Sequence, residues 1–425
     1  MKFLRNFLET IEPKMAGNKY LHTVYDGFAT FLFTPNATTT DGVHIRDGID
    51  LKRTMVTVVM ALQVCLLFGM WNIGHQHYTA FGLYPGMAEA LFTKLAYGFL
   101  QLLPIIIVAH VVGLGVEFFF AAKKGHPIEE GFLVTGMLIP LIVPPAIPLW
   151  MLAISVVFAV VIGKEAFGGT GMNILNIALT CRVFLFFAYP TEMSGDNCWV
   201  AHDYNYLHQI FGMGASTLSE LGQSVLPEKG WRGLLVNGFS GATPLALAAK
   251  GGWAAVENQF TIQNLLIGDI PGSVGETCKI AIIIGALILV VTGIGSWQIM
   301  LSMILGAAFM GFIINMGGGY LSTEIFGFEE ANPFFAVPFY YHLIMGSFLF
   351  AMAFMATDPV TAAQTLTGKF LYGFMIGCVG IIVRVLNPAF PEGWMLAILF
   401  MNVFAPLIDH WVYSRNIKRR LARAN

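Results

Sequence analysis

Long stretches without a charge limit this chain more than any other feature. Val56–Gly74 and Trp297–Asn315 are each 19 residues long and contain no Asp, Glu, Lys or Arg. Runs of that length match the hydrocarbon thickness of a bilayer and read as transmembrane helices. The 425-residue chain is 56% hydrophobic and only 11% charged, far from the balance of a soluble globular protein. The expected fold class is an all-α polytopic membrane protein. Its net charge of -2 decides nothing, and no basic stripe suits nucleic acid.

About ten spans are expected: Val56–Gly74, Ala96–Ala122, Gly131–Val143, Pro148–Gly163, Asn173–Tyr189, Lys279–Gly295, Trp297–Asn315, Tyr340–Ala356, Phe370–Leu386 and Trp394–Val412. The domain reading follows. Residues 1–55 form an N-terminal arm, 56–190 a first five-helix unit, 191–278 a polar segment, 279–413 a second five-helix unit, and 414–425 a basic tail. In the arm, Phe3, Leu4, Phe7, Leu8 and Ile11 recur at helical spacing, as in a helix lying on a membrane surface or a partner. Lys2 and Arg5 precede an acidic, amphipathic stretch, so the N-terminus is not expected to be a cleavable signal.

Positive charge sets the orientation. Lys14, Lys19, Arg46, Lys52 and Arg53 precede the first span, Lys123 and Lys124 follow the second, and Arg415, Lys418, Arg419, Arg420 and Arg423 follow the last. The opposite connections carry little beyond Lys94 and Arg384. The positive-inside rule then puts both termini in the cytoplasm and residues 191–278 outside. In each half a short helix stops at proline, at Val143-Pro144-Pro145 and at Asp358-Pro359-Val360. Five spans per half force the two repeats to be inverted. Broken half-helices at matching positions mark a midplane ligand or ion site.

Ionisable groups inside spans are costly and are functional candidates by default. Glu117, Asp358 and Asp409 all fall toward the cytoplasmic side, where a hard cation such as Na+ would find carboxylate and carbonyl oxygens. For Glu117 and Asp409 the plain alternative is a side chain reaching the nearby interface. Arg182 lies mid-span and needs a carboxylate or an anionic ligand. Gly168-Gly169-Thr170-Gly171-Met172-Asn173 is a glycine-rich turn before a helix, able to offer N–H groups to phosphate or to a flavin carbonyl, with Asn176 one turn further on. With no strand before it, it is not a dinucleotide fingerprint; close helix packing is the alternative. His110 and His342 lack the paired spacing of a haem site and read as satisfied interior side chains. Five cysteines form no C-x-x-C pair, so a cluster or structural zinc is not expected; Cys198 and Cys278, which flank the polar segment, either pair or stay as thiols.

Several motifs then point one way. Glu129-Glu130-Gly131-Phe132, Ile142-Val143-Pro144-Pro145, Lys164-Glu165-Ala166-Phe167-Gly168-Gly169-Thr170-Gly171, Ser240-Gly241-Ala242-Thr243, Ile270-Pro271-Gly272-Ser273 and Met355-Ala356-Thr357-Asp358-Pro359-Val360, in that order, resemble the B subunit of the bacterial Na+-translocating NADH:quinone reductase. The resemblance covers nearly the whole chain. It implies a urea- and ammonium-transporter-like fold in the bacterial inner membrane. It also implies FMN joined through its phosphate to Thr243, within Ser240, Gly241 and Ala242, and riboflavin near Gly169, Thr170, Asn173, Asn176 and Arg182. A ubiquinone or related quinone would sit near Gly113 and Glu117, with Na+ passing Glu117, Asp358 and Asp409. The implied partners are the other members of a six-subunit complex, including a periplasmic FMN-bearing subunit and a cytoplasmic FAD/iron–sulfur subunit. Asn237 stands where the family's attachment motif usually has Asp, and the region about His202–Trp231 is longer than usual. Two rival readings are a redox-silent channel or carrier and the flavin-bearing D subunit of the ferredoxin:NAD oxidoreductase.

Overall fold

The computed structural model describes residues 10, 17–33, 39, 41–43, 51–125, 131–169, 171–195, 198–201, 203–204, 225–227, 234–236, 241–325, 332–387 and 393–424. The N-terminal apolar residues Phe3 to Leu8 and Ile11, the Glu129-Glu130 pair, Thr170, Asn237 and Ser240 lie outside the described residues.

The chain enters through α1 (Lys19–Leu32), capped by Asn18, then α2 (Leu51–Ala80), α3 (Leu91–Lys124), α4 (Phe132–Ile142), α5 (Leu149–Gly163), α6 (Ile177–Ala188) and the short α7 (Pro190–Met193). Among the described residues, six helices are long and apolar enough to cross a membrane: Arg53–Ala80, Leu91–Lys124, Leu149–Phe167, Trp297–Gly318, Leu366–Leu386 and Trp394–Arg423. Three shorter apolar helices, α4, α6 and Lys279–Val291, pack among them. Many of their large apolar side chains stay exposed, Phe92, Val111 and Val291 among them, as lipid-facing helices require.

The polar segment departs from the all-α expectation. It holds three short strands, β1 (Asp203–Tyr204), β2 (Val225–Pro227) and β3 (Leu234–Val236), in the antiparallel order β1-β3-β2. Backbone groups outside the hydrocarbon can pair between strands or with water, so nothing there enforces helix. After it come α8 (Pro244–Gln259), α9 (Ile262–Ile267), α10 (Lys279–Val291) and α11 (Trp297–Tyr320). Helix α8 is kinked at Gly251 and Gly252; Gly252 has φ 65 and ψ -159, a region essentially reserved for glycine. Past the kink, Trp253 stacks on Tyr341.

The expected span Tyr340–Ala356 is not one helix. It is α12 (Tyr341–Ile344), an unwound Met345-Gly346-Ser347, α13 (Phe348–Phe350) and a π turn Ala351–Met355. Gly346 sits at φ 64, which ends α12 there. The chain closes with α14 (Leu366–Leu386) and α15 (Trp394–Ala424). Within each half the helices pack in the same pairs: α3 with α5 and α5 with α6, then α11 with α14 and α14 with α15. Between halves, α2 packs on α10 and α6 on α15. Glycines set the closest approaches. A Cβ at Gly98 would meet the Met70 carbonyl at 1.8 Å, and one at Gly306 the Phe374 carbonyl at 2.1 Å. Cys198 and Cys278 are both buried, and no disulfide joins them among the described residues.

Candidate functional site

Helix α6 begins where Asn176 caps it, its Oδ1 accepting the Leu179 N–H at 3.1 Å. The amide nitrogen of the same side chain reaches the other half of the protein and donates to Asp358 Oδ2 at 3.2 Å. Asp358 in turn closes its own break, accepting the Val360 N–H at 3.0 Å and the Thr361 hydroxyl at 3.1 Å. One asparagine thus ties the helix start after the glycine-rich turn to the second proline break.

A cavity of about 90 Å³ opens between them. Lys164, Asn173, Asn176, Thr135, Thr357 and Asp358 supply its polar wall, and Val58, Leu138, Leu289 and Phe354 its apolar one. At roughly 10–15 Å³ per water it has room for several waters or a partly hydrated ion. Carboxylate, amide and hydroxyl oxygens are the donor set a hard cation takes. Asn173 is buried, and its Nδ2 donates to the Leu175 carbonyl at 3.2 Å.

Glu117 is not a free carboxylate. It pairs with Lys164, the residue that ends α5, and both side chains are at most 5% exposed. Beside them Lys124 and Glu165 form a second pair at 2.8 Å, with Lys124 one-third exposed. Gly113, four residues before Glu117, lies under the Phe132 ring, where an added Cβ would come within 1.8 Å of Cζ. Its role in the structure is to let α4 approach α3. The arm helix α1 closes on the same end of α3, with Tyr20 against Phe119 and Phe28 against Phe118, ring centroids 6.4 Å apart in each.

Other sequence candidates are not brought to the cavity. Asp409 caps α14 from α15: it accepts the backbone N–H groups of Gln364 at 2.7 Å and Thr365 at 3.0 Å, and the Thr365 hydroxyl at 2.6 Å. Arg182 is buried in α6 with its guanidinium over the Trp199 ring, 5.6 Å from the centroid. Part of the glycine-rich turn is already spent on itself. The Gly168 N–H bonds the Glu165 carbonyl and the Gly169 N–H the Lys164 carbonyl, so these two donors are not open to a phosphate or a flavin ring. His342 is buried, and its Nδ1 meets no hydrogen-bond partner among the described residues; His110 Nδ1 contacts the Ile106 carbonyl at 2.9 Å.

Outside the cavity lining, Thr243 caps α8, its hydroxyl oxygen accepting the Ala246 N–H at 3.2 Å. Gly241 and Ala242 are buried before it and Thr243 is half-buried. Asp269 fastens this segment to the helices, accepting from Gln76 at 2.9 Å and lying 3.1 Å from His75 Nε2.

Four cations escape a reading of the sequence as site residues. Lys164 stands out there only as part of a motif. Lys94 and Arg384 look like charges beside spans, yet both are fully buried, as is Lys279. Lys94 donates to the carbonyls of Tyr84 and Gly86, and Arg384 to those of His342 and Met345, all left open by a helix end or loop. Proximity to a break is the only signal of this in the sequence.

The fold and the cavity define a helical membrane protein with a small chamber, polar on one side, at a helix break. The sequence model of the NQR2, RnfD, RnfE family matches residues 38–418, and the chain belongs to that family. It is 43% identical to the B subunit of the Na(+)-translocating NADH-quinone reductase of Chromohalobacter salexigens, over 99% of this chain and 96% of that one. It is 43% identical to the same subunit of Ectopseudomonas mendocina and 41% to that of Pseudomonas aeruginosa, over 99% of each chain.

Proposed function

We propose that this chain is the membrane-embedded B subunit of a Na+-translocating NADH:quinone oxidoreductase, relaying electrons from flavin to quinone while Na+ crosses the membrane. The observation that carries the Na+ half is the hydrogen bond that joins Asn176, at the start of α6, to Asp358, at the second break, beside a cavity with carboxylate, amide and hydroxyl oxygens in its otherwise mostly apolar wall. The near-full-length similarity to subunits of that name supports the rest. The ten spans are taken as two inverted repeats, a reading supported by α2 packing on α10 and α6 on α15, each helix on its counterpart. Both termini are assigned to the cytoplasm and residues 191–278 to the outer side.

Thr243 fits a phosphoester. Its oxygen lies at a helix N-terminus, where negative charge is favoured, and the small residues before it leave room. Ser240 and Thr170, outside the described residues, stay with the attachment and riboflavin regions by resemblance. A second flavin is assigned beside the cavity, which at about 90 Å³ does not hold the ring itself, with Asn173 the nearest uncharged polar group; Lys164 is engaged by Glu117, and Asn176 by its cap and by Asp358. Flavins supply one- and two-electron chemistry. The chain's own residues set position and charge. The Asp358 carboxylate would favour a cation entering beside a ring that gains negative charge. Quinone is assigned to the α1–α3 corner near Gly113 and Glu117. The partners are the remaining subunits of the complex.

Denaturing electrophoresis under ultraviolet light tests the attachment: a fluorescent band is expected and should vanish in Thr243→Leu. A dark parent band refutes it. For Na+, Asp358→Ala should lower Na+-stimulated turnover with flavin content intact, and an unchanged Na+ dependence refutes that role.

A further inference from the structure

Among the described residues, Asp358 takes one hydrogen bond from the other half of the protein. Val360 and Thr361 bond it from its own break, whereas Asn176 reaches it from the start of α6. At 3.2 Å that bond stands at the long end of the hydrogen-bond range, so a small rotation of Asn176 breaks it. Oδ1 of Asn176 is already committed to the Leu179 N–H. With one end of the amide fixed to its helix, the direction of the other depends on where the Asn176 backbone sits.

An N-cap residue has a backbone N–H that its own helix leaves open. In a capping box, Glu or Gln at the third helical position turns back to accept it. In α6 that position is Leu179, whose side chain has no acceptor. The acceptor comes instead from α15. Asn402 is 1% exposed and stands between the Asn176 N–H, which can only donate, and the Ile398 carbonyl, which can only accept. One orientation of its amide satisfies both. Oδ1 accepts the Asn176 N–H at 3.2 Å, and Nδ2 faces the Ile398 carbonyl at 3.2 Å and the Tyr372 hydroxyl. Tyr372, from α14, is fully buried. A different helix thus completes the cap of α6, and a buried chain of polar groups runs from Tyr372 through Asn402 and Asn176 to Asp358. Packing α15 against α6 does not require an amide, which is costly to bury unless its bonds are made. Asp409, further along α15, already ties that helix to the start of α14.

We infer that Asn402 is a positioning residue of the cavity: seated by Tyr372, it holds the start of α6 so that Asn176 meets Asp358 and the carboxylate faces an entering cation in one orientation. The cation half of this statement rests on the proposed Na+ role of Asp358; the seating of Asn176 does not.

Two measurements on the whole complex test it. Asn402→Leu keeps the branched shape and removes the acceptor. It should raise the Na+ concentration for half-maximal turnover about tenfold or more, the usual cost of losing an outer-shell partner of an ion ligand, while turnover at saturating Na+ stays near that of the parent. Hydrogen exchange read by mass spectrometry should quicken in the peptide that holds Asn176 and Leu179 and keep the parent rate in the peptide that holds Gln364 and Gly368. Asn402→Asp retains an oxygen at the same place and should retain the parent exchange at Asn176. Tyr372→Phe removes a single hydroxyl and should move both measurements the same way by less; it decides the matter if Asn402→Leu does not assemble. Unchanged exchange at Asn176 in an assembled variant refutes the seating. Faster exchange in both peptides, or faster exchange at Asn176 with an unchanged Na+ half-saturation, refutes the positioning role. If Asp358→Ala itself leaves the Na+ dependence unchanged, the Na+ reading of the cavity fails, and the exchange alone decides whether Asn402 seats Asn176.

Discussion

Glu117 and Lys164 permit a quantitative prediction. Both side chains are at most 5% exposed, so neither charge can turn to water when its partner is removed. Breaking such a pair from one side typically costs about 3–5 kcal/mol, whereas replacing both members by apolar groups is often near neutral. Lys164→Met and Glu117→Leu should therefore each destabilise the protein to about that extent, and the double variant should recover most of it. The coupling energy in the cycle is then about 3 kcal/mol or more. Lys124 and Glu165 make an internal control. Lys124 is 33% exposed and can turn to water, so Glu165→Leu, which leaves that ammonium alone, should cost about 1 kcal/mol or less. The assay is denaturant unfolding of the purified complex, followed through dissociation of its subunits. Additive single effects, with coupling below about 0.5 kcal/mol, would refute the reading of a buried pair. The same cycle separates fold from function. Activity lost in Glu117→Leu but regained in the double variant assigns the loss to the uncompensated ammonium, not to a missing Na+ or quinone ligand.

Asp409→Ala removes three hydrogen bonds at the start of α14 and should cost about 1–3 kcal/mol, with the Na+ concentration for half-maximal turnover unchanged; a shifted Na+ dependence would show that Asp409 also meets the ion. Gly113→Ala forces Cβ into the Phe132 ring and should destabilise by about 1–3 kcal/mol, with partial rescue by Phe132→Leu; an unperturbed melting curve would contradict that packing. Cys198 and Cys278 should both alkylate in denatured, unreduced protein, and a bridged peptide in the digest would contradict the absence of a disulfide between them.

Long apolar runs make the large helices legible. The expected Pro148–Gly163 is found as Leu149–Gly163, and the expected Phe370–Leu386 as Leu366–Leu386. The unwinding at Gly346 is hidden because Tyr340–Ala356 is largely apolar, and hydropathy does not register a backbone at positive φ. The strands escape notice because they are two or three residues long. For the cavity, the second break and the asparagines after the glycine-rich turn can be read, but not that Asn176 and Asp358 meet across 182 positions, which only tertiary packing determines. The buried cations mislead for a related reason. Counting Lys and Arg assigns sides to a membrane, but it treats every positive charge as facing water, and Lys94 and Arg384 face carbonyls.

The bend at Gly252 has a genetic consequence. A glycine codon can mutate in one step only to residues that carry a Cβ, or to a stop. At φ 65 and ψ -159, with the Pro333 carbonyl 3.3 Å from where that carbon would sit, each of these replacements is strained. Position 252 therefore has no neighbouring allele that keeps the bend. Selection should hold it wherever Trp253 must reach Tyr341, and drift elsewhere in α8 should stop there.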